Sequence, residues 1–359
     1  MDYYNGDRLL SKLDISGQTP QFYICTTNRT AGKTTYFNSL VLREYFTKSK
    51  KFALLYRYDY ELPQCSDKFF KDIHGLFFPA HCMTDKSVGK NVMREIYVGE
   101  TASQDDPEKL DPATMSPCGY ALAINKADQI KKYSHFLSDV DTIIFDEFQS
   151  ETGNYCPNEI QKFLSILTSI CRGQGETFRY VRVILIGNQV TILNPYFIEM
   201  GISERLQNET KFLRGDGWVL ENGFNLGASE AIKNSPLARA FKNNKYIAYS
   251  AENVYLNDTT TFIEPPPSVH GKYLATIKMD GDLYGLIEYA ENGIIYCKPG
   301  GDPSYPYKIS VSDADHDINY VMIERNHVFI SSLRFFFEKG CFRFKNAKSK
   351  RAVLTLLSY

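Results

Sequence analysis

The sequence predicts an α/β protein in which a domain built on a parallel sheet is followed by a smaller α+β domain. The first observation is a strand–helix–strand pattern over residues 21–57, because two strands joined by such a crossover lie parallel in one sheet. The second is a set of strands that are apolar throughout, as strands buried on both faces are: 21–27, 52–57, 142–145 and 181–186. The third is a change of pattern after three prolines at 265–267, where alternating strands 273–279 and 283–289 flank an Asp-Gly turn.

Composition limits the class of protein. The chain has 359 residues, which is enough for two domains. Its 41 basic residues nearly balance 42 acidic ones, so any nucleic-acid partner must bind to a local basic patch. Eight cysteines form no CxxC pair and six histidines have no zinc spacing, so we expect free thiols and no structural metal. A polar N-terminus and the lack of an apolar run of ~20 residues predict a cytosolic protein.

Periodicity defines the remaining elements in chain order. A helix at 33–47 has one apolar face, formed by Phe37, Leu40, Val41 and Tyr45. Strands are expected at 92–98 and 120–124, followed by a basic helix. A helix at 157–171 is expected to bury Ile160, Phe163, Leu164, Leu167 and Ile170. The C-terminal part should contain strands 294–298 and 320–324 and a helix at 329–338. We predict three segments: an ATPase domain at 1–205, a linker or lid at 206–250 and a C-terminal domain at 251–359.

The strongest motif is a phosphate loop at residues 27–34, TNRTAGKT, which matches the pattern GxxxxGK[ST] except that Thr27 replaces the first glycine. Such a loop wraps its backbone N–H groups around phosphate at a helix N-terminus. Lys33 would reach the β- and γ-phosphates, and the Thr34 hydroxyl would bind Mg²⁺. The predicted nucleotide-binding residues are Thr27, Asn28, Arg29, Thr30, Ala31, Gly32, Lys33, Thr34 and Thr35. A chance GKT at a helix start is the alternative, and the strand before the loop argues against it.

A second motif, TIIFDE at 142–147, is an apolar strand that ends in two carboxylates. Asp146 would hold the Mg²⁺ shell, and Glu147 would act as the general base on the attacking water. Taken singly, an Asp-Glu pair can simply end a strand. Following a GKT by about a hundred residues, the pair predicts ATP hydrolysis with ATP and Mg²⁺ as cofactors, and Glu147 favours a motor ATPase over a small-molecule kinase.

Two further residues have open interpretations. Asn188 follows the strand at 181–186 and either senses the γ-phosphate or forms an ordinary Gly-Asn turn. Arg172 follows the helix at 157–171 and is either an arginine finger for a neighbouring subunit or a cation that interacts with the helix dipole.

With these elements in place, the sequence resembles the DNA-packaging ATPases (encapsidation proteins, terminase-like) of phi29-like podoviruses. The segments that carry the resemblance, in chain order over about residues 20–200, are TTNRTAGKTT, LLYRYDYELPQCSDKFFKDI, IIFDEF, FLSILTSICR and VILIGNQVTILNPYF. The resemblance implies a P-loop fold of the ASCE/RecA-like class followed by an RNase H-like domain. It also implies a ring, commonly a pentamer, that moves double-stranded DNA into a preformed capsid. Implied partners are the portal of the procapsid and a structural RNA, and the implied location is the infected bacterium, transiently at the portal vertex.

The resemblance also suggests roles for single residues. Arg57 falls where terminase-like motors carry an arginine that moves toward the γ-phosphate. Arg172 falls at the position of the family's trans-acting arginine finger. Lys126 resembles a second trans-acting basic residue, and Lys131 or Lys132 could fill that role instead.

The C-terminal residues leave several readings open. A nuclease of the RNase H class needs carboxylates that converge on two metals, whereas Asp280 and Asp282 lie in a predicted turn, so we expect a vestigial nuclease. The segment 338–351 carries six basic residues with Phe342 and Phe344 between them, and would bind DNA, RNA or the portal, or be a solvated tail. The alternatives for the whole chain are a large terminase with an active nuclease and a viral P-loop helicase or translocase.

Overall fold

The computed structural model describes residues 4–100, 110–172, 178–203, 205–206, 210–241, 244–251, 262–323 and 327–358. The chain divides into two compact units, residues 1–196 with 207–257, and residues 197–206 with 258–359. The helices are α1 Asp7–Leu10, α2 Lys33–Lys48, α3 Cys65–Phe77, α4 Ala127–Ile130, α5 Glu159–Ile170, α6 Pro195–Glu199, α7 Leu226–Lys233, α8 Pro236–Ala240, α9 Lys245–Ala251, α10 Val328–Glu338 and α11 Ala347–Ser358. None of the helices in these described ranges is long and apolar enough to cross a membrane.

The first unit contains a nine-stranded sheet. Its strands are β1 Phe22–Thr27, β2 Lys51–Tyr56, β3 His81–Val88, β4 Met93–Glu100, β5 Gly119–Ala123, β6 Val140–Asp146, β7 Arg182–Asn188, β8 Phe212–Gly215 and β9 Trp218–Asn222. The spatial order is β3-β4-β5-β2-β6-β7-β1-β9-β8. The six strands from β5 to β9 in this order run parallel to one another, whereas β4 and β8 pair antiparallel with β5 and β9. The strand β7 lies between the strand that leads into the phosphate loop and the strand that ends in Asp146. This insertion is the arrangement of ASCE P-loop ATPases, as predicted.

The buried face of this sheet explains why the central strands are apolar. Strands β1 and β6 and the helices α2 and α3 contribute to one core cluster, in which Phe37, Val41 and Ile144 are at most 2 % exposed. Helix α5 differs from the prediction, because Leu164 is 44 % exposed and Ile166 is buried in its place. The helix starts two residues later than expected, at Glu159, and the exposure of Leu164 shows that its buried face is rotated relative to the predicted one.

The segment predicted as a linker or lid, 206–250, is also different. The hairpin of β8 and β9 extends the nine-stranded sheet, with β9 parallel to β1, and residues 207–257 belong to the first unit. The helices α7 to α9 follow this hairpin, and whether they form a lid stays a prediction. Polar, Gly-rich residues around the hairpin concealed the strand pattern, because Trp218, Val219 and Leu220 form only a short apolar run.

The second unit is α+β, as predicted. Its five strands are β10 Lys272–Met279, β11 Asp282–Tyr289, β12 Ile294–Pro299, β13 Lys308–Ser310 and β14 Phe342–Phe344, in the spatial order β13-β10-β11-β12-β14. The strands β10, β11 and β12 form an antiparallel meander, whereas β13 and β14 pair in parallel at its two edges. The strand predicted at 320–324 is wrong: Val321 forms only an isolated bridge with Ile309, and residue 324 lies outside the described residues.

Candidate nucleotide site

The phosphate loop joins β1 to α2 at the carboxyl edge of the parallel strands, where ligands of open α/β sheets bind. Gly32 precedes the helix with φ 89°, a left-handed backbone that favours glycine. Thr27 is the last residue of β1 and has no positive φ, which explains why this position tolerates threonine instead of glycine. Thr35 follows in the first turn of α2. The order of strand, loop and helix is therefore the one that the sequence predicts.

Side chains from three strand ends meet at this loop. The Lys33 ammonium donates to Asn188 Oδ1 at 2.9 Å, and the Thr34 hydroxyl donates to Asp146 Oδ2 at 2.7 Å. These contacts exist because β1, β6 and β7 are adjacent and parallel, with Thr27 opposite Asn188 and Asp146 opposite Ile186. The geometry brings together the predicted phosphate-binding lysine, the predicted magnesium ligands and the residue predicted to sense phosphate.

Burial shapes the electrostatics of the site. Lys33 is 7 % exposed, and burial lowers its pKa while the nearby Cys25 and Asp146 oppose this change. Burial raises the pKa of Asp146, opposed by the hydrogen bond from Thr34 and by the charge of Lys33. Burial also raises the pKa of Glu147, and the negative charges of Asp146 and Glu151 raise it further. A carboxylate with raised proton affinity in a pocket suits a general base.

Glu147 stands on a strained turn. Its φ is 56°, a left-handed conformation that costs a residue with a side chain about 1–3 kcal/mol and persists where the surroundings hold it. Its amide donates to Asp146 Oδ1 at 2.8 Å, and the next amide, Phe148 N–H, donates to Ile186 O at 3.2 Å. The turn places Glu147 in a cavity of ≈ 320 Å³ that Thr34 and Asp146 also line, so that part of the residue is dehydrated while another part stays exposed to solvent.

The residues of the site fit ATP with Mg²⁺. A hydroxyl and a carboxylate 2.7 Å apart are hard oxygen donors of the kind that Mg²⁺ takes, and Thr34 and Asp146 provide them. Lys33 is a buried cation at a helix N-terminus, where phosphate binds.

The two loop residues Asn28 and Arg29 contact Asn225, which precedes α7, and two tyrosines of α9. Asn28 Nδ2 donates to Asn225 O at 3.0 Å, and Asn28 Oδ1 accepts from Asn225 N–H at 2.9 Å. Arg29 forms an ion pair with Glu151, and its guanidinium lies 5.3 Å and 5.7 Å from the ring centroids of Tyr246 and Tyr249 on α9. Sequence reasoning did not find these partners, because they are separated from the loop by more than a hundred residues and match no motif.

The movement of Arg57 toward the γ-phosphate stays a prediction, and in this structure the side chain has other partners. Its side chain is buried at the end of β2, where Nε donates to Glu159 Oε2 at 3.0 Å and a terminal nitrogen donates to Phe148 O at 2.7 Å. The guanidinium also lies over the rings of Phe145 and Tyr155. These contacts hold Arg57 against the turn of Glu147, and the predicted contact with the γ-phosphate would have to break a buried ion pair.

The other predicted basic residues are Lys126, Arg172 and the two alternatives to Lys126, Lys131 and Lys132. Lys126 forms an ion pair with Asp59 at 3.1 Å, in a 3₁₀ turn after β5. Arg172 is exposed, and lines a surface pocket of ≈ 530 Å³. The other residues around that pocket are Lys131, Ser134, His135, Ser138, Ser165, Thr168 and Ser169. Of the lysines considered, Lys131 is therefore the one that shares a pocket with Arg172, whereas Lys132 does not line it.

In the second unit, the carboxylates considered for a nuclease have structural contacts. Asp280 pairs with Arg351 at 3.3 Å and Asp282 pairs with Lys348 at 3.5 Å, while Asp315 accepts both backbone amides of the turn between β10 and β11. No group of three or more His, Cys, Asp or Glu residues that could hold a metal occurs among the described residues.

Three basic residues of the segment 338–351 form ion pairs within the second unit. Arg343 pairs with Glu264 at 2.8 Å, in addition to the pairs formed by Lys348 and Arg351. Phe342 and Phe344 are 1 % and 0 % exposed in β14, so these two rings do not lie on the surface that a nucleic acid would contact. The alternation of aromatic and basic residues reflects a strand with one buried face.

Comparisons with known proteins show which family the chain resembles. The family model "Podovirus DNA encapsidation protein (Gp16)" matches residues 115–357. The DNA packaging protein of Bacillus phage phi29 is 24 % identical over 323 residues, covering 89 % of this chain and 87 % of that protein. The DNA packaging protein of Bacillus phage B103 is 27 % identical over 232 residues, covering 64 % of this chain and 70 % of the relative.

Two solved structures share the fold over the whole chain. The bacteriophage phi29 viral genome packaging motor assembly has a TM-score of 0.66 at 21 % identity, covering 99 % of this chain and 97 % of that chain. The phi28 gp11 DNA packaging motor has a TM-score of 0.56 at 14 % identity with the same coverage of both chains. Because the family model matches more than half of the residues, the chain belongs to the podovirus DNA encapsidation protein family.

Proposed function

We propose that the chain is the ATPase subunit of a ring motor that drives double-stranded DNA into a preformed viral capsid. The observation that supports this most is the meeting of Lys33, Thr34, Asp146 and Glu147 at one sheet edge, in a member of a DNA encapsidation family. The motor acts in the infected bacterial cell, at the portal vertex of the procapsid. Nuclease activity is not part of the proposal.

Hydrolysis follows from the side chains at the loop. Mg²⁺ bound with ATP supplies neutralisation of the charge that develops on the phosphates. Thr34 and Asp146 would hold the ion, and Lys33 exchanges its hydrogen bond with Asn188 for one with a phosphate oxygen. The Asn188 amide released in this way can contact the γ-phosphate or the attacking water. Glu147 accepts the proton of that water.

The position of Arg172 supports action in trans. Helix α5 follows β6 and returns to the start of β7, where the Arg179 amide donates to Cys171 O at 2.8 Å. Arg172 thus lies at the amino edge of the parallel strands. A strand as long as β6 spans about 23 Å, so Arg172 cannot reach its own phosphate loop at the opposite edge. A head-to-tail ring would bring it to the nucleotide of a neighbouring subunit.

The second trans-acting residue in this proposal is Lys131 instead of Lys126. Both lysines form an ion pair, Lys131 with Asp128 at 3.2 Å and Lys126 with Asp59 at 3.1 Å. They differ in position, because Lys131 lines the pocket that contains Arg172, whereas Lys126 lies after the carboxyl end of β5. Two cations in one exposed pocket can contact one nucleotide. Cations at opposite edges of the sheet cannot do so from one subunit.

The names of the related proteins support the proposed partners of this chain. The phi29 and B103 relatives are named DNA packaging proteins, and the phi29 structure is a genome packaging motor assembly. We therefore propose double-stranded DNA and the portal as partners, with a pentameric ring and a structural RNA as further parts of the proposal. A helicase is not favoured, because the antiparallel meander of the second unit is no second RecA-like sheet.

The proposal predicts that double-stranded DNA increases the rate of ATP hydrolysis by the purified chain, and that procapsids carrying the portal increase it further. Phosphate release measured with neither, one or both additions tests this. The Lys33→Ala variant, purified in the same way, corrects for contaminating ATPases. A turnover rate that is the same in all conditions would contradict coupling to DNA.

A further inference from the structure

The hydrogen bonds of its amides do not by themselves explain the stability of the strained turn at Glu147. The amides of Glu147 and Phe148 donate to Asp146 and Ile186, but the conformation of the turn also depends on the partners of its carbonyls. The carbonyls of Glu147 and Phe148 both point toward the end of β2. The group that meets them there is the guanidinium of Arg57.

Arg57 contacts both carbonyls through its planar fork. One terminal nitrogen donates to Phe148 O at 2.7 Å, and the other lies 3.4 Å from Glu147 O. The stacked rings of Phe145 and Tyr155, centred 5.4 Å and 5.0 Å from the guanidinium carbon, restrict rotation of the guanidinium plane. Lysine has no such fork, since its ammonium is a single point charge on a flexible stem.

Glu159 fixes the third side of the guanidinium. Its carboxylate accepts from Arg57 Nε at 3.0 Å and 3.2 Å, from the Cys156 amide at 2.7 Å and from the Tyr196 hydroxyl at 2.8 Å. The side chain is 2 % exposed. Because Glu159 is held by two other donors, it orients Arg57 in addition to balancing its charge.

We propose that Arg57, oriented by Glu159 and Tyr196, is a positioning residue that holds the turn on which the general base Glu147 stands. The inference rests on the proposed function, because it requires Glu147 to activate water. By fixing the two carbonyls, Arg57 sets the direction of the Glu147 Cα–Cβ bond into the cavity next to Thr34 and Asp146. A displacement of about 1 Å at a reacting group lowers a rate on the order of a hundredfold, so this contact bears directly on turnover.

The test is the variant Arg57→Lys, which keeps the charge and removes the fork. We expect kcat for ATP hydrolysis to fall roughly 10- to 100-fold while the Kd for ATP changes less than about threefold, because the phosphate loop is untouched. The matched control is Arg43→Lys. Arg43 also donates to a backbone carbonyl, Ser39 O at 3.2 Å, but it lies on the exposed side of α2, and its replacement should leave kcat unchanged.

If Arg57 only stabilised the fold, Arg57→Lys would lower the melting temperature and leave kcat of the folded enzyme unchanged. A wild-type kcat in Arg57→Lys, or a kcat loss matched by an equal loss of ATP affinity, overturns the inference. If Arg57→Lys does not fold, Tyr196→Phe replaces it, since this change removes only the hydroxyl that holds Glu159. We expect a severalfold lower kcat from it at unchanged ATP affinity, and a wild-type kcat overturns the inference.

The Glu147→Gln variant separates this inference from the proposed function. Full activity of Glu147→Gln would remove the proposed base, and the function of the site with it. An inactive Glu147→Gln beside a fully active Arg57→Lys overturns only the positioning role of Arg57.

Discussion

Replacing Glu147 with glutamine is expected to lower kcat for ATP hydrolysis by about 10²–10⁴-fold, while ATP still binds. Glutamine keeps the size of the side chain and cannot accept the proton of the attacking water. The residues that contact phosphate and metal, Lys33, Thr34 and Asp146, are unchanged, so the Kd for ATP should stay close to the wild-type value. Single-turnover hydrolysis and equilibrium binding of a fluorescent ATP analogue measure the two quantities.

Glu61→Gln is the matched control for this variant. Glu61 lines the same cavity as Glu147, but its carboxylate accepts from the Tyr58 amide at 2.8 Å and does not follow the strand that carries Asp146. We expect this variant to keep kcat within a few-fold of wild type. An equal loss in both variants would show that the cavity tolerates no change of charge, and would remove Glu147 as the specific base.

Mixing two inactive variants is expected to restore ATP hydrolysis. Arg172→Ala subunits keep their own loop and Glu147 but lack the finger for a neighbour, whereas Glu147→Gln subunits keep the finger and lack the base. In a head-to-tail ring mixed at equal amounts, roughly a quarter of the interfaces combine an intact site with an intact finger. The phosphate release rate of the mixture should exceed that of either variant alone.

The control mixture contains Lys33→Ala and Glu147→Gln. Both changes damage the site within one subunit, so no interface of this mixture is complete, and activity should stay absent. Recovery in the control, or none in the Arg172→Ala mixture, would contradict action in trans. Lys131→Ala should behave as Arg172→Ala does, whereas Lys126→Ala should not need complementation.

Local patterns predicted the core of the site. The loop at 27–34, the strand that ends at Asp146 and the turn at Asp280 each depend on residues close in sequence, so their motifs predict their structure. The turn between β10 and β11 illustrates this, since Asp280 and Gly281 have φ 53° and 81°, as a two-residue hairpin turn requires. The identity of four parallel strands was also predicted, because buried parallel strands are apolar throughout, whereas their spatial order came only from the structure.

Contacts between distant residues were not predictable from one sequence. Arg57 was correctly located at the end of a strand, but its partner Glu159 lies 102 residues away and nothing near either residue indicates the pair. The contact of Arg29 with Glu151 and two tyrosines was not predictable for the same reason, because these partners lie more than a hundred residues from Arg29. The strands β8 and β9 were missed because a short hairpin at a sheet edge has too few apolar residues to show a period.

Coupling of ATP hydrolysis to DNA movement is the central property of the proposed motor, and protection of DNA inside procapsids measures this coupling directly. Purified subunits, procapsids with portal and linear double-stranded DNA are incubated with ATP, treated with DNase, and the surviving DNA is quantified. We predict full-length protected DNA with the wild-type chain, and none with Glu147→Gln or with a non-hydrolysable ATP analogue. Protected DNA that forms equally well with Glu147→Gln, or its absence while the wild-type chain hydrolyses ATP at the procapsid, would contradict the account.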